Sequence, residues 1–121
     1  MSVSDTIGAL RAKFPDDVIR SHVVCGQTSV FVTNARAHDV LQWLQEDPLQ
    51  RFNYLTDITC VEYRDAEREF EVVYQLRSLD RKEDLRVKIP FSPDGPLEVR
   101  SVIDLWSGAD WLEREAWDMF G

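Results

Sequence analysis

The run at residues 69–77 alternates apolar and polar side chains almost without a break, and this period of two constrains the fold more than any other feature. Phe70, Val72, Tyr74 and Leu76 share one face of an extended chain, while Glu71, Gln75 and Arg77 share the other; Val73 is the exception. A second run repeats the pattern, with Leu85, Val87 and Ile89 set against Arg86 and Lys88. Strands with one apolar and one polar face belong to a sheet covered on one side, which is the habit of antiparallel rather than parallel sheets.

The rest of the chain supplies the cover and the remaining strands. Ile7, Leu10 and Phe14 recur at helical spacing behind Ser4, a candidate N-cap, and Pro15 ends that segment. Two β-rich runs at 18–25 and 28–33 flank Gly26-Gln27, a link whose glycine suits the positive φ of a tight hairpin. Asn34 offers a cap to a second helix with the stripe Ala37, Val40, Leu41 and Leu44, and Pro48 blocks its extension. His38 falls off that stripe and is expected to be solvated. A long strand follows at 52–63, then the alternating runs, joined by charged links at 64–68 and 80–84. Pro90, Pro93, Gly95 and Pro96 then break regular structure.

The expected architecture is α+β: a two-layer α/β sandwich of order α-β-β-α-β-β-β, with a mixed, mostly antiparallel five-stranded sheet and a C-terminal helical segment. A chain of 121 residues supports one such core and not two. Residues 1–96 form the α+β body, and residues 97–121 are a helical segment of the same domain, expected to face a partner.

Charge and cysteine content narrow the chemistry. With 22 acidic and 14 basic residues the net charge is −8, which repels nucleic acid and anionic lipid on average. No run of apolar residues is long enough for membrane insertion as a helix, and the start lacks the basic-then-apolar pattern of a secretory signal. Cys25 and Cys60 stand alone in separate strand-like runs. With only His22 and His38 beside them they do not make the four ligands of an iron–sulfur or structural zinc site, so no such metal site is expected. They read as buried free thiols in a reducing compartment. For general acid–base work the chain offers Asp57, Glu62, His22 and the carboxylates of its last helix, which nothing in the sequence brings together; a stand-alone enzyme is therefore the weaker reading, and no catalytic residue is expected.

The last third is more specific. A short apolar segment at 97–106, with one helical turn near Trp106, leads to Ser107-Gly-Ala-Asp110, which matches a capping box with Asp in the usual Glu position. In the helix that follows, Ala109, Leu112, Ala116, Met119 and Phe120 share a face. Glu113 lies inside that apolar arc, and Trp111 lies on the polar side near Asp118. A glutamate among apolar residues needs a hydrogen-bond donor. An outward tryptophan leaves a large apolar surface wet, and tryptophan and arginine are enriched at interfaces. The expected partner-facing residues are Trp111, Glu113, Arg114, Glu115, Trp117 and Asp118, with Glu113 as the chief partner-facing charge. Arg114 and Asp118 are spaced to pair within the helix.

The stretch Ser101-Val-Ile-Asp-Leu-Trp-Ser-Gly-Ala-Asp-Trp-Leu-Glu-Arg-Glu-Ala-Trp-Asp-Met-Phe-Gly121 closely resembles the signature of the 30 kDa (C-type) subunit family of complex I, the proton-pumping NADH:quinone oxidoreductase. The core of that signature is Glu113-Arg114-Glu115, two residues, Asp118, and the apolar pair Met119-Phe120. Phe52-Asn-Tyr-Leu-Thr-Asp-Ile-Thr59 resembles the family's long third strand. The resemblance implies a subunit without flavin, quinone or cluster, docked on the neighbouring 49 kDa-type subunit that helps form the quinone pocket. It implies a peripheral position on the cytoplasmic face of the cell membrane, among the other peripheral-arm subunits. A homologous subunit of an energy-converting hydrogenase or related membrane-bound oxidoreductase is the alternative. The family signature continues past the glycine at Gly121 into a basic, histidine-containing stretch and an extended tail, so this sequence is expected to be the globular part of a longer protein.

Overall fold

Gly26 adopts φ +79° where β1 (Val18–Val24) turns into β2 (Gln27–Val32), and the antiparallel register from Val18↔Val32 to Val24↔Gln27 follows from that turn. Without a Cβ, glycine enters this left-handed region at no steric cost. Gln27 is thus the first residue of β2, paired with Val24, and not part of the link as the sequence suggests. The structure, a computed structural model, describes residues 3–24, 26–48, 50–62, 70–80, 82–91, 101–106 and 108–120; the side chains of residues 3, 4, 24, 62, 70, 91 and 117–120 lie outside that description. Cys25, Ser107 and the charged link at 64–68 are also outside it.

The element order is α1 (Val3–Lys13), β1, β2, a 3-10 turn (Asn34–Arg36), α2 (Ala37–Glu46), β3 (Tyr54–Glu62), β4 (Phe70–Ser78), β5 (Glu83–Phe91) and α3 (Ala109–Phe120). The five strands form one sheet in the order β1-β2-β5-β4-β3. β2 and β5 run parallel, and every other pairing is antiparallel. The expected mixed, mostly antiparallel α+β sheet is the observed one. The parallel pair arises because the chain leaves the sheet after β2, crosses it through α2, and returns twice before β5 docks in the centre.

Register places Val30, Val87, Tyr74 and Ile58 in one row across the sheet. With Leu10 of α1, Phe14 just after it, and Val40, Leu41 and Leu44 of α2, they form a single apolar cluster. Helices therefore cover this face, as the alternation in β4 and β5 requires. Cys60 is a half-buried free thiol at its margin, and burial raises its pKa.

Several local expectations are corrected. Ser4 lies inside the first turn of α1 rather than at its cap. Asn34 does not cap α2 with its side chain; a 3-10 turn tightens the entry, and the Ala37 N–H bonds the Asn34 carbonyl. β3 begins at Tyr54 because the Phe52 N–H is used on the Leu44 carbonyl, which closes the end of α2, and the Asn53 N–H is used on the Arg51 carbonyl. β5 continues through Pro90, beyond its last pair with β2 at Lys88, so only one side of the strand is paired there and proline is tolerated. His38 is not solvated: it is buried, because residues 101–106 lie against α2 and form a contact that helical periodicity cannot reveal.

Candidate functional site

Residues 101–106 make a tight turn, with the N–H groups of Leu105 and Trp106 both bonded to the Val102 carbonyl at 2.9 Å. Neighbouring elements hold this turn on two sides. From α2, His38 Nε2 lies 2.9 and 3.1 Å from the two Asp104 carboxylate oxygens, and the Gln45 amide donates to the Leu105 carbonyl. From α3, the Glu113 carboxylate accepts the Ser101 hydroxyl at 2.6 and 3.0 Å, with the Val102 N–H at 3.4 Å. Ser101 Oγ in turn accepts the Ile103 N–H at 3.2 Å.

Glu113 is thereby corrected. It is 6% exposed and turned inward, so it is a structural acceptor rather than a partner-facing charge. Its place inside the apolar arc requires a donor, and that donor is Ser101. Its charge also acts on the buried Tyr74. Burial first, then the charges of Glu113 and Cys60, push the Tyr74 phenol above its ordinary range.

The opposite side of α3 carries the exposed groups. Ala109 and Ala116 are buried and Leu112 half-buried, while Asp110, Trp111, Arg114 and Glu115 are exposed. Arg114 pairs backward with Asp110, Nε to Oδ1 3.3 Å, both well exposed. Trp117 and Asp118 lie in α3 with side chains outside the described set, so the Arg114–Asp118 pairing expected from spacing does too.

Trp111 is 65% exposed and stands at the rim of an open cleft of about 520 Å³ between the end of α2, the start of β3 and the start of α3. Tyr54, Leu105, Trp106 and Leu112 supply its apolar wall, with Gln45 and Asn53 among its polar groups. Tyr54 is itself half exposed. The indole N–H of Trp106 is buried and has no acceptor among the described residues. Sequence periodicity finds Trp111 but not Tyr54 or Leu105, because the cleft joins three segments distant in the chain. His22 and Asp57, considered above for acid–base work, do not line this cleft, and no group of three or more metal-binding side chains occurs among the described residues.

The fold and this turn–helix arrangement correspond to a known family. Residues 30–121 match the family described as respiratory-chain NADH dehydrogenase, 30 kDa subunit. The chain belongs to that family. The C-subunit of NADH-quinone oxidoreductase from Rhodospirillum rubrum is 38% identical over 120 residues, covering 99% of this chain and 55% of that protein. Its counterpart in Citrifermentans bemidjiense is 38% identical over 112 residues, covering 93% and 68%. The C/D-subunit of NADH-quinone oxidoreductase from Acidiphilium cryptum is 39% identical over 100 residues, covering 77% of this chain and 17% of that protein. The chain thus spans little more than half the length of the R. rubrum relative. Among solved structures, a chain of the membrane-bound sulfane sulfur reductase, an archaeal respiratory membrane complex, superposes with a TM-score of 0.73. It covers 93% of this family member and 64% of that chain; at 20% identity it establishes the fold alone. No helix among the described residues of this family member is long and apolar enough to cross a membrane.

Proposed function

We propose that the chain is a non-catalytic peripheral-arm subunit of a proton-translocating NADH:quinone oxidoreductase, which docks on the 49 kDa-type subunit and supports electron transfer from NADH to quinone. The observation that carries this reading is the exposed Trp111 beside the Tyr54–Leu105–Trp106 cleft, a large apolar surface next to a recess in a family of complex subunits. Such aromatic anchors beside pockets dominate binding energy at protein interfaces. The A. cryptum C/D relative carries the matching region within a longer chain, which supports a C-type domain working beside a second subunit. The docking surface comprises Trp111, Arg114 and Glu115, continued by Trp117 and Asp118, and the subunit sits peripherally on the cytoplasmic face of the membrane as part of a membrane-bound complex. The homologous place in a membrane-bound hydrogenase or related oxidoreductase is the second reading; the shared fold of the sulfane sulfur reductase chain favours it. Identities of 38–39% to the quinone oxidoreductase relatives named above favour the first.

The test is Trp111→Ala in the full-length protein within its native complex. An exposed truncation should leave the unfolding midpoint of the subunit nearly unchanged. Loss of a central tryptophan anchor costs about 2–4 kcal/mol, or roughly 30-fold to 1,000-fold in affinity. Assembled complex and NADH:quinone activity should fall together. Wild-type amounts of active complex in the variant would overturn the proposal, and the identity of the co-purifying subunits separates the two readings.

A further inference from the structure

The face of the sheet opposite the helices carries a cluster of cations on an otherwise acidic chain. Arg20 pairs in register with Phe31, and Phe31 with Lys88; His22 pairs with Ser29, and Ser29 with Arg86. All six side chains therefore stand on this face, across β1, β2 and β5. Phe31 is only 3% exposed, because two cations and an imidazole ring lie against it: the Arg20 guanidinium carbon is 4.3 Å from the centroid, Lys88 Nζ 5.3 Å, and the His22 ring centre 5.3 Å. The aromatic ring thus holds the cations in place as a preformed platform.

Two acidic groups of the same face are engaged by other cations: buried Glu71 pairs with Lys88 at 3.9 Å, and Asp84, two residues before Arg86, pairs with Arg77 at 2.9 Å. The Asp57 carboxylate accepts the Ile58 N–H beyond β4, on β3. Among the described residues, Arg20 and Arg86 have no carboxylate within ion-pair distance, although the chain carries a net charge of −8. Neither does either arginine belong to the Trp111 cleft.

We infer that this face is a second interface, which receives an acidic segment of a neighbouring subunit of the complex, with two or more carboxylates engaging Arg20 and Arg86. Charge complementarity selects the occupant. The two arginines stand two strands and two residues apart, about 12 Å at the usual spacings, a span that carboxylates four residues apart on an extended strand can bridge. Arginine presents a planar fork suited to bidentate carboxylate pairing. The inference rests on the reading of the chain as a complex subunit, but not on the Trp111 surface.

Two variants of the full-length protein, assembled in its native complex, test it. In R20K the new amine should couple through a zero-length carbodiimide to an Asp or Glu of a neighbouring subunit, identified by mass spectrometry of the linked peptide. In R20E/R86E the protein should compete with wild type for incorporation at least ten-fold less well, with the deficit largest at low salt, while its unfolding midpoint stays near wild type. R20Q/R86Q serves the same purpose if the charge reversal impairs folding. Absence of any intersubunit link to position 20, or incorporation of the arginine variants at the wild-type level, overturns the inference. Retention of the free protein on phosphatidylglycerol vesicles that is lost in R20E/R86E would assign the face to lipid and also overturn it. Trp111→Ala run in parallel separates the proposals: normal incorporation of R20E/R86E alongside failed assembly of Trp111→Ala removes only the second interface.

Discussion

Replacing Glu113 by alanine should destabilise the domain, although the position lies in an otherwise exposed-looking Glu-Arg-Glu sequence. The Glu113 carboxylate accepts the Ser101 hydroxyl at 2.6 and 3.0 Å and has the Val102 N–H at 3.4 Å. A hydrogen bond to a charged acceptor contributes about 1.5–3 kcal/mol, and a buried N–H left without an acceptor costs about 1–3 kcal/mol. The Val102 contact is long, so its share belongs at the low end. Ser101 is exposed, and water can replace part of what its hydroxyl loses. The expected loss is therefore about 2–4 kcal/mol, which for a domain of this size lowers the melting temperature by roughly 8–16 °C.

Urea denaturation followed by circular dichroism measures this directly. Glu115→Ala is the internal control, because Glu115 is exposed and should stay within about 0.5 kcal/mol of wild type. A double-mutant cycle with Ser101→Ala isolates the pair, and a coupling of at least about 1 kcal/mol is expected. The reasoning fails if Glu113→Ala and Glu115→Ala are equally stable, or if the cycle shows no coupling. Lost assembly in Glu113→Ala should then follow from the loosened 101–106 turn rather than from a missing intersubunit charge, whereas Arg114→Ala, at an exposed position, should leave stability intact.

Alkaline pH should destabilise the fold through Tyr74. Its folded pKa is raised, so the unfolded chain gives up the phenolic proton first; stability is full below the unfolded value of about 10 and falls as pH rises above it, by about 1.4 kcal/mol per pH unit. Tyr74→Phe should flatten that part of the stability–pH profile between pH 9 and about 11, and an unchanged slope would refute the assignment. Lys82 holds φ +54° in the turn between β4 and β5. Lys82→Gly should relieve that left-handed strain and raise stability by about 0.5–1 kcal/mol, read from the urea midpoint; a lower midpoint would show that the turn does not hold this conformation in solution.

The element order was legible because each strand and helix carries its own period. The alternation from Val72 to Leu76 and from Leu85 to Ile89 reappears in the buried face of the sheet. Boundaries were less legible where one element consumes the backbone groups of another. Phe52 and Asn53 look like strand residues, yet the Phe52 N–H closes the end of α2 on the Leu44 carbonyl and the Asn53 N–H bonds the Arg51 carbonyl. His38 shows the same limit in a side chain: its helical position faces away from the apolar stripe, and only the turn that carries Asp104 buries it.

At the candidate site, residue order alone makes Trp111 and Glu113 break the amphipathic pattern of α3, because residues on one helix have fixed angular positions. Which of the two faces outward for a partner depends on what packs beside the helix. Glu113 turns inward because Ser101, twelve residues earlier, supplies a donor within hydrogen-bond distance. Trp111 stays exposed because the space beside it is an open cleft bounded by Tyr54 and Leu105. Likewise, in the sequence Arg20 and Arg86 are ordinary polar-face cations in separate strands. The order β1-β2-β5 sets them on one surface on either side of β2, because the crossover through α2 puts a late strand beside an early one. Periodicity acts over a few residues and can be read locally, whereas juxtaposition depends on which strands pair.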